Sequence, residues 1–206
     1  MRLYFAPGAC SIGIHYLLEE ISQPYQLKKV DIRAVQNFEP WYSALNPKRK
    51  VPTLQRSDGS ILTEFPVIAR YLAEAHPSAK QLPSDKEALS RASELTEFLV
   101  SMVHMQGFSR AFRPEKFAPD AAAHDEVRRR GLEIIHDALA VVERQIEPGA
   151  ALGATRSFAD GALFYMLFWA CERLKLDVPA TCVARWRELR SRPAAQRVFA
   201  AEGIVL

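Results

Sequence analysis

The apolar pattern of this chain changes near residue 77, and that change constrains the fold more than any other feature. Before it, short apolar runs typical of strands alternate with apolar residues at helical spacing. Residues 3–5 and 25–30 predict two strands, and Ile14 and Leu18 belong to the apolar stripe of a helix between them. A strand–helix–strand opening implies a right-handed parallel crossover.

Two more strands and a helix complete this first part. Residues 51–55 and 61–63 flank Asp58 and Gly59, a pair that strongly favours a β-hairpin turn. Pro66 suits the first turn of a following helix. The predicted order is therefore β-α-β, a loop or short helix, a β-hairpin and a helix, with the hairpin adding antiparallel strands to the sheet.

No strand pattern follows residue 77. Residues 77–85 are polar and contain prolines, which is typical of a connector between a domain of residues 1–77 and one of residues 86–206. Residues 132–146 repeat apolar positions every three or four residues, as an amphipathic helix does. Residues 158–176 are apolar on nearly all sides and predict a buried central helix. The second domain is expected to be all-helical.

Composition argues against two classes of partner. A net charge of +3 is too weak to indicate nucleic-acid binding, and no aromatic residues interleave with the densest basic run, residues 128–130. The longest apolar run, residues 162–171, is about half a membrane span. We therefore expect neither a nucleic-acid partner nor a membrane partner.

The cysteines indicate the compartment. Cys10, Cys171 and Cys182 form no CxxC or Cys–His pair, so we expect no metal site. A sparse, odd count favours a reducing cytoplasm over a disulfide framework. The first residues also lack the long apolar core of a signal peptide. These observations predict a cytoplasmic protein.

Five segments, in order, resemble the beta class of bacterial glutathione S-transferases. They are LYFAPGACS at 3–11, NPKRKVPTL at 46–54, LTE at 62–64 before an apolar helix, SFAD at 157–160, and residues 192–203. SFAD is also a variant capping box, with Ser157 as the cap and Asp160 three residues later. Each segment alone is weak evidence, but the ordered set is specific.

The resemblance implies an α/β thioredoxin-like N-terminal domain that binds glutathione, plus an all-α C-terminal helical domain that forms the electrophile side of the cleft. Family members are commonly homodimers. The implied activity is activation of the glutathione thiol, as co-substrate, for attack on a hydrophobic small-molecule electrophile. Reduction of a peroxide or mixed disulfide is a second implied activity. The alternative is a non-catalytic thiol-binding or regulatory protein of the same fold.

The segment around Val51 and Pro52 is predicted to hold the peptide backbone of glutathione. The resemblance implies that the N–H and C=O of Val51 pair with the cysteinyl part of glutathione, as an added strand would. A cis peptide bond before Pro52 would turn that backbone toward the ligand, since proline makes the cis form accessible. The alternative is a trans proline that opens an edge strand.

Glu64 precedes the helix that begins near Pro66. Its carboxylate can bind the γ-glutamyl ammonium, while the first amides of the helix, including that of Phe65, can bind the α-carboxylate. Many relatives carry a serine where this chain has Phe65, so weaker affinity or a different thiol is an open alternative. Glu64 could also only complement the helix dipole. Lys48 to Lys50 could attract the glycine carboxylate.

Cys10 lies in the turn before the first helix, where the helix dipole is expected to lower the thiol pKa. The position matches the beta-class cysteine, which forms mixed disulfides with glutathione. Gly13 stands where a resolving cysteine would complete a CxxC pair, so only monothiol chemistry is open to Cys10. Ser11 is a rival catalytic group, because other classes use a hydroxyl near the thiolate. A small buried hydrophobe is the alternative role for Cys10.

His104 lies in the first helix of the second domain, where relatives place a histidine facing the cleft. Its expected role is a hydrogen bond to the glutathione sulfur or to Cys10 from a side chain that titrates near neutrality. A histidine on a polar helix face is the alternative. Glu97 and Ser101 share that helix face and are expected to line the cleft or reach a partner subunit's site. The tryptophans, Trp169 among them, are expected in the core or an interface.

Overall fold

The computed structural model describes residues 1–153 and 155–206. Its first part contains a four-stranded sheet in the order β2-β1-β3-β4. The strands are β1 (Arg2–Phe5), β2 (Gln26–Lys29), β3 (Thr53–Gln55) and β4 (Ile61–Thr63), and the helices are α1 (Ser11–Ile21), α2 (Pro40–Leu45) and α3 (Phe65–Ala75). Strand β1 is parallel to β2 and antiparallel to β3, which forms a hairpin with β4. The predicted α/β order is confirmed.

Side chains alternate across the sheet along β1. Leu3 and Phe5 join the large apolar core together with residues of α1 and α3. Tyr4 points to the opposite face, where it packs with Val30 and Tyr42 of α2. The sheet is thus covered on both faces, and the loop after β1 contacts the second part of the chain through Gly8.

After α3 the described residues form helices and turns. Helix α4 (Lys86–Phe98) continues through a π-helical segment (Leu99–Phe108) into α5 (Ser109–Phe112), followed by α6 (His124–Ile146), α7 (Ala159–Phe168), a π-helical turn (Trp169–Arg173), α8 (Ala180–Ser191) and α9 (Pro193–Glu202). Helix α7 is buried along its whole length, so the predicted central helix is confirmed. Within the described ranges, no helix has both the length and the apolar character to cross a membrane.

The capping residues at the start of α7 act on each other. The N–H of Ser157 donates to Oδ2 of Asp160 at 3.1 Å, and the N–H of Ala159 donates to Oγ of Ser157 at 3.3 Å. Both capping side chains are buried. Burial raises the pKa of Asp160 to about 6, although the nearby Arg185 opposes this shift. The cap thereby fixes where the central helix begins.

Helices α1 and α7 join the two parts of the chain at backbone distance. A Cβ placed on Gly13 would lie 2.1 Å from the carbonyl oxygen of Gly161, and one placed on Gly161 would lie 2.7 Å from Leu17. No side chain larger than hydrogen fits at either position. This close approach places the amino terminus of α1, and with it Cys10, against the helical part.

Candidate functional site

The Cys10 thiol lies between α1 and the loop before β3. Cys10 is the residue that precedes the first turn of α1, and its Sγ donates to the carbonyl oxygen of Val51 at 3.3 Å. The residue is partly exposed, and its side chain packs against the apolar core. The structure therefore brings together two residues that are 41 positions apart in sequence and that the sequence assigned to one site.

The expectation of a lowered Cys10 pKa is wrong. Burial of the thiol raises its pKa to about 12, and this outweighs the lowering by the backbone amides of Ser11 and Cys10 and by the charge of Lys50. Desolvation disfavours the thiolate more than the start of α1 favours it. Cys10 is therefore a neutral hydrogen-bond donor at neutral pH.

Ser11 does not face the cleft. Its side chain is fully buried, and its Oγ accepts from the N–H of Ala6 at 3.1 Å and donates to the carbonyl oxygen of Ala6 at 3.2 Å. Both hydrogen bonds close the loop between β1 and α1. The hydroxyl is thus committed to the backbone, and we no longer assign Ser11 a role at the thiolate.

The loop before β3 carries the predicted cis peptide bond, between Val51 and Pro52. Two buried side chains hold the residue before it: the hydroxyl of Tyr42 donates to the carbonyl oxygen of Lys50 at 2.6 Å, and Nδ2 of Asn46 donates to the same oxygen at 2.9 Å. Sequence reasoning assigned no role to Asn46 or Tyr42. Their hydrogen bonds fix the backbone that faces Cys10.

Glu64 immediately precedes α3 and has a positive φ of 71°. Non-glycine residues in this region are uncommon and cluster at functional sites. Its carboxylate is more than half exposed and pairs with Nζ of Lys48 at 2.7 Å. Exposed pairs of this kind contribute little stability. A ligand ammonium can therefore compete for the carboxylate.

Phe65 packs inward and not toward the cleft opening. Its ring is buried and lies 5.0 Å, centroid to centroid, from the ring of Tyr165 in α7. Its backbone N–H belongs to the first turn of α3, where amides have no acceptor within the helix. The side-chain contact that a serine would make is absent here, whereas the backbone donor is present.

His104 lies in the π-helical segment and contacts α7. Its Nδ1 is 3.4 Å from the hydroxyl of Tyr165, and its ring meets the ring of Trp169 edge-on at 5.0 Å. Burial, together with the charges of Lys50 and Lys116, lowers its pKa to about 4. The expectation of titration near neutrality is wrong, because a buried imidazole beside two cations resists protonation.

Tyr165 of α7 and Trp169 of the π-helical turn after it also lie at the site, although the sequence did not predict this. Tyr165 is fully buried against His104, and Nε1 of Trp169 donates to the carbonyl oxygen of Gly8 at 2.8 Å. Trp169 thus contacts both the Cys10 loop and His104. Both residues belong to a continuous apolar run, and no local pattern distinguishes them from the rest of the core.

Glu97 and Ser101 are exposed on the helix that carries His104. Among the hydrogen bonds and ion pairs of the described residues, none joins either side chain to Cys10, Val51 or His104. The structure does not bring these two residues to the site within one chain. No group of three or more His, Cys, Asp or Glu side chains in the described ranges could hold a metal ion.

Two family models match this chain. Residues 8–75 match the glutathione S-transferase N-terminal domain, and residues 125–201 match the glutathione S-transferase C-terminal domain. The chain is also similar to glutathione S-transferase GstA of Escherichia coli O157:H7, with 31% identity over 99% of this chain and 100% of that protein.

Solved structures agree with these matches. A glutathione transferase homologue from Sulfitobacter with bound glutathione superposes with a TM-score of 0.89 at 28% identity, covering 99% of this chain and 98% of the other. A beta-class glutathione S-transferase of Sphingomonas chungbukensis superposes with a TM-score of 0.83 at 29% identity, covering 100% of both chains.

Proposed function

This chain belongs to the glutathione S-transferase family, and we propose that it joins the glutathione thiol to a hydrophobic electrophile. One observation carries the proposal: the neutral thiol of Cys10 lies 3.3 Å from the carbonyl oxygen of Val51. The backbone of Val51 is the proposed partner of the cysteinyl part of glutathione, so a hydrogen-bond donor stands beside the proposed position of the sulfur.

Binding would use three features of the first part. The backbone of Val51 would pair with the extended tripeptide, the carboxylate of Glu64 would bind the γ-glutamyl ammonium, and the first amides of α3 would bind the α-carboxylate. The γ-glutamyl ammonium would replace Lys48 as the partner of Glu64. Lys48 would then be free to pair with a carboxylate of the ligand. Each group satisfies one charged or polar part of glutathione.

Activation would use donors aimed at the sulfur. Once the carbonyl oxygen of Val51 pairs with glutathione, the S–H of Cys10 would be free to turn to the sulfur. This S–H and one N–H of the neutral His104 would donate to the glutathione thiolate and so lower the pKa of the bound thiol. The thiolate would then form a C–S bond with the electrophile, whose leaving group departs with its electron pair. The exposed ring of Phe112 contacts Trp169 at 5.5 Å beside His104 and would offer an apolar wall to the electrophile.

Disulfide or peroxide reduction by Cys10 is the second candidate activity, but the raised pKa opposes it. The thiolate is the nucleophile in thiol–disulfide exchange, and a thiol with a pKa of about 12 supplies very little of it at neutral pH. We therefore propose that the glutathione thiolate is the nucleophile in conjugation and that Cys10 supplies only a hydrogen bond.

We also propose that the protein is a cytoplasmic homodimer. Several large apolar side chains are exposed on the surface, including Phe38, Val67, Met102 and Met105, and burial in a symmetric interface would remove them from water. All three cysteines are free, as a reducing compartment would keep them. Analytical ultracentrifugation tests the dimer directly, and a monomer at micromolar concentration would contradict it.

Calorimetric titration with glutathione tests the proposed function. We expect binding in the micromolar to millimolar range, weakened about tenfold or more by Glu64→Ala, because a hydrogen-bonded charge pair is lost. Glu74→Ala is the matched control: this glutamate lies near the far end of α3, is exposed and pairs only with Arg70 among the described residues. Absence of binding by the folded wild-type protein would instead support the non-catalytic alternative.

A further inference from the structure

We propose that Tyr165 is a positioning residue for His104. Its hydroxyl donates to Nδ1 of His104, which keeps the imidazole proton on Nε2, the nitrogen that can then donate to the glutathione sulfur. This inference rests on the proposed function and adds to it the group that selects the histidine tautomer.

The direction of the hydrogen bond follows from burial. Tyr165 is fully buried, and among the described residues its hydroxyl has one hydrogen-bond partner, Nδ1 of His104 at 3.4 Å. Burial raises its pKa well above the usual value, so the phenol keeps its proton. A buried O–H without an acceptor costs about 1–3 kcal/mol, whereas an unused lone pair costs less. The hydroxyl therefore donates and Nδ1 accepts.

The ring of Tyr165 is held in one orientation by its neighbours. Its centroid lies 5.0 Å from that of Phe65 and 5.1 Å from that of Trp169. On a third side a Cβ at Gly13 would approach the ring to 2.9 Å. The ring of Phe65 thus supports the tyrosine, while its backbone N–H remains available to the ligand. A side chain packed from α1, α3 and the turn after α7 can define the position of its hydroxyl.

Because the imidazole of His104 is neutral, its tautomer determines which ring nitrogen can donate a hydrogen bond. Burial, followed by the positive charges of Lys50 and Lys116, lowers the pKa of His104 and so disfavours the imidazolium. Among the described residues, the only other titratable group that affects the pKa of Tyr165 is Cys10. A neutral imidazole has one N–H, so it donates from Nδ1 or Nε2 but not from both. In the described residues no hydrogen bond involves Nε2 of His104. An acceptor hydrogen bond at Nδ1 therefore leaves the only N–H pointing away from Tyr165.

Nitrogen NMR of protein with ¹⁵N-labelled histidine tests the tautomer without any assay of activity. We expect the His104 signals of the wild-type protein at pH 7 to show a protonated Nε2 and an unprotonated Nδ1. Tyr165→Phe should convert them to a mixture of both tautomers. A protonated Nδ1 in the wild-type protein, or no change in the variant, would overturn the proposal.

The pH dependence of conjugation tests the consequence. With a chromogenic aryl halide as electrophile, Tyr165→Phe should raise the apparent pKa of the bound glutathione thiol by about one unit, equivalent to about tenfold less thiolate below that pKa. The KM for glutathione should change less than about twofold, since the hydroxyl contacts His104 and none of the groups proposed to hold the tripeptide, which are Val51, Glu64 and the first amides of α3. In a His104→Gln background the same substitution should have no further effect.

Tyr16→Phe is the control for removing a buried tyrosine hydroxyl. Tyr16 is buried in α1, and its ring stacks on that of Phe164 at 4.4 Å. Among the described residues, no hydrogen bond or ring contact joins Tyr16 to His104. We expect it to leave the apparent thiol pKa unchanged. An equal effect of Tyr165→Phe with and without His104 would contradict the positioning role. A wild-type protein that fails to bind glutathione would overturn the proposed function, whereas the NMR result would still decide the tautomer.

Discussion

Cys10 and His104 have pKa values displaced in opposite directions by the same cause. Burial raises the pKa of the thiol to about 12 and lowers that of the imidazole to about 4. Desolvation disfavours the charged form of each group, which is the thiolate for one and the imidazolium for the other. Both side chains are therefore neutral at neutral pH, and both can donate a hydrogen bond to an anionic sulfur.

Alkylation of Cys10 by iodoacetamide tests its raised pKa. Only the thiolate reacts, so the rate should rise about tenfold per pH unit from pH 7 to 10 without reaching a plateau. Peptide mass spectrometry separates this reaction from that of Cys171, the other partly exposed cysteine. A plateau near pH 9 would show an ordinary thiol, and one below pH 7 would restore the expectation drawn from the helix dipole.

At the scale of elements, the contact between α1 and α7 determines whether the cleft exists. Gly13→Ala would place a methyl group 2.1 Å from the carbonyl oxygen of Gly161, which packed backbones cannot relieve without moving apart. We expect a loss of about 3 kcal/mol or more in the free energy of unfolding, measured by urea denaturation. Activity should fall with it, because α1 carries Cys10.

Gly203→Ala is the matched control for that substitution. A Cβ at Gly203 meets nothing within 4 Å, although the residue has φ 67°. The cost should be limited to the left-handed backbone, about 1 kcal/mol. If the two variants lost equal stability, the close approach of α1 and α7 would not be the cause.

The end of α9 holds the loop that carries Cys10. Oε2 of Glu202 accepts from the N–H of Gly8 at 2.8 Å, and Oε1 pairs with Nδ1 of His15 at 2.8 Å, with both side chains fully buried. Glu202→Ala leaves the buried imidazole of His15 and the half-buried N–H of Gly8 without this partner. We expect a loss of about 3 kcal/mol in thermal or urea unfolding, together with reduced conjugation.

Gln196→Ala serves as the control in the same helix. Its side chain is exposed and makes a hydrogen bond to a backbone oxygen at the end of α8. The change should remain within about 0.5 kcal/mol of the wild-type stability. If Glu202→Ala were as stable as this control, α9 would not stabilise the loop that carries Cys10.

At the scale of the whole molecule, the sequence predicted the architecture well because periodicity reports burial. Alternating strand and helix patterns before residue 77, and the all-round apolar run of α7, predicted the observed order of elements along the chain and the buried central helix. The motifs likewise led to Cys10, Val51 and Glu64. These features are local, and each can be recognised from a few neighbouring residues of the sequence.

Three properties of the site could not be read in this way, because each depends on contacts between distant segments. The sign of the Cys10 shift depends on how deeply the thiol is buried between α1 and the loop at Val51. The two hydrogen bonds of Ser11 with Ala6 depend on how the loop closes. The proximity of Tyr165 to His104 joins residues 61 positions apart.

Whether this cleft activates glutathione is decided by the pKa of the glutathione thiol in the complex. It can be measured from the ultraviolet absorbance of the thiolate across pH, with the same titration of the ligand-free protein as a check that the signal belongs to glutathione. We predict a pKa about two units below the ordinary thiol pKa of about 8.5. A bound thiol that titrates at its ordinary value would contradict the claim that this cleft activates glutathione.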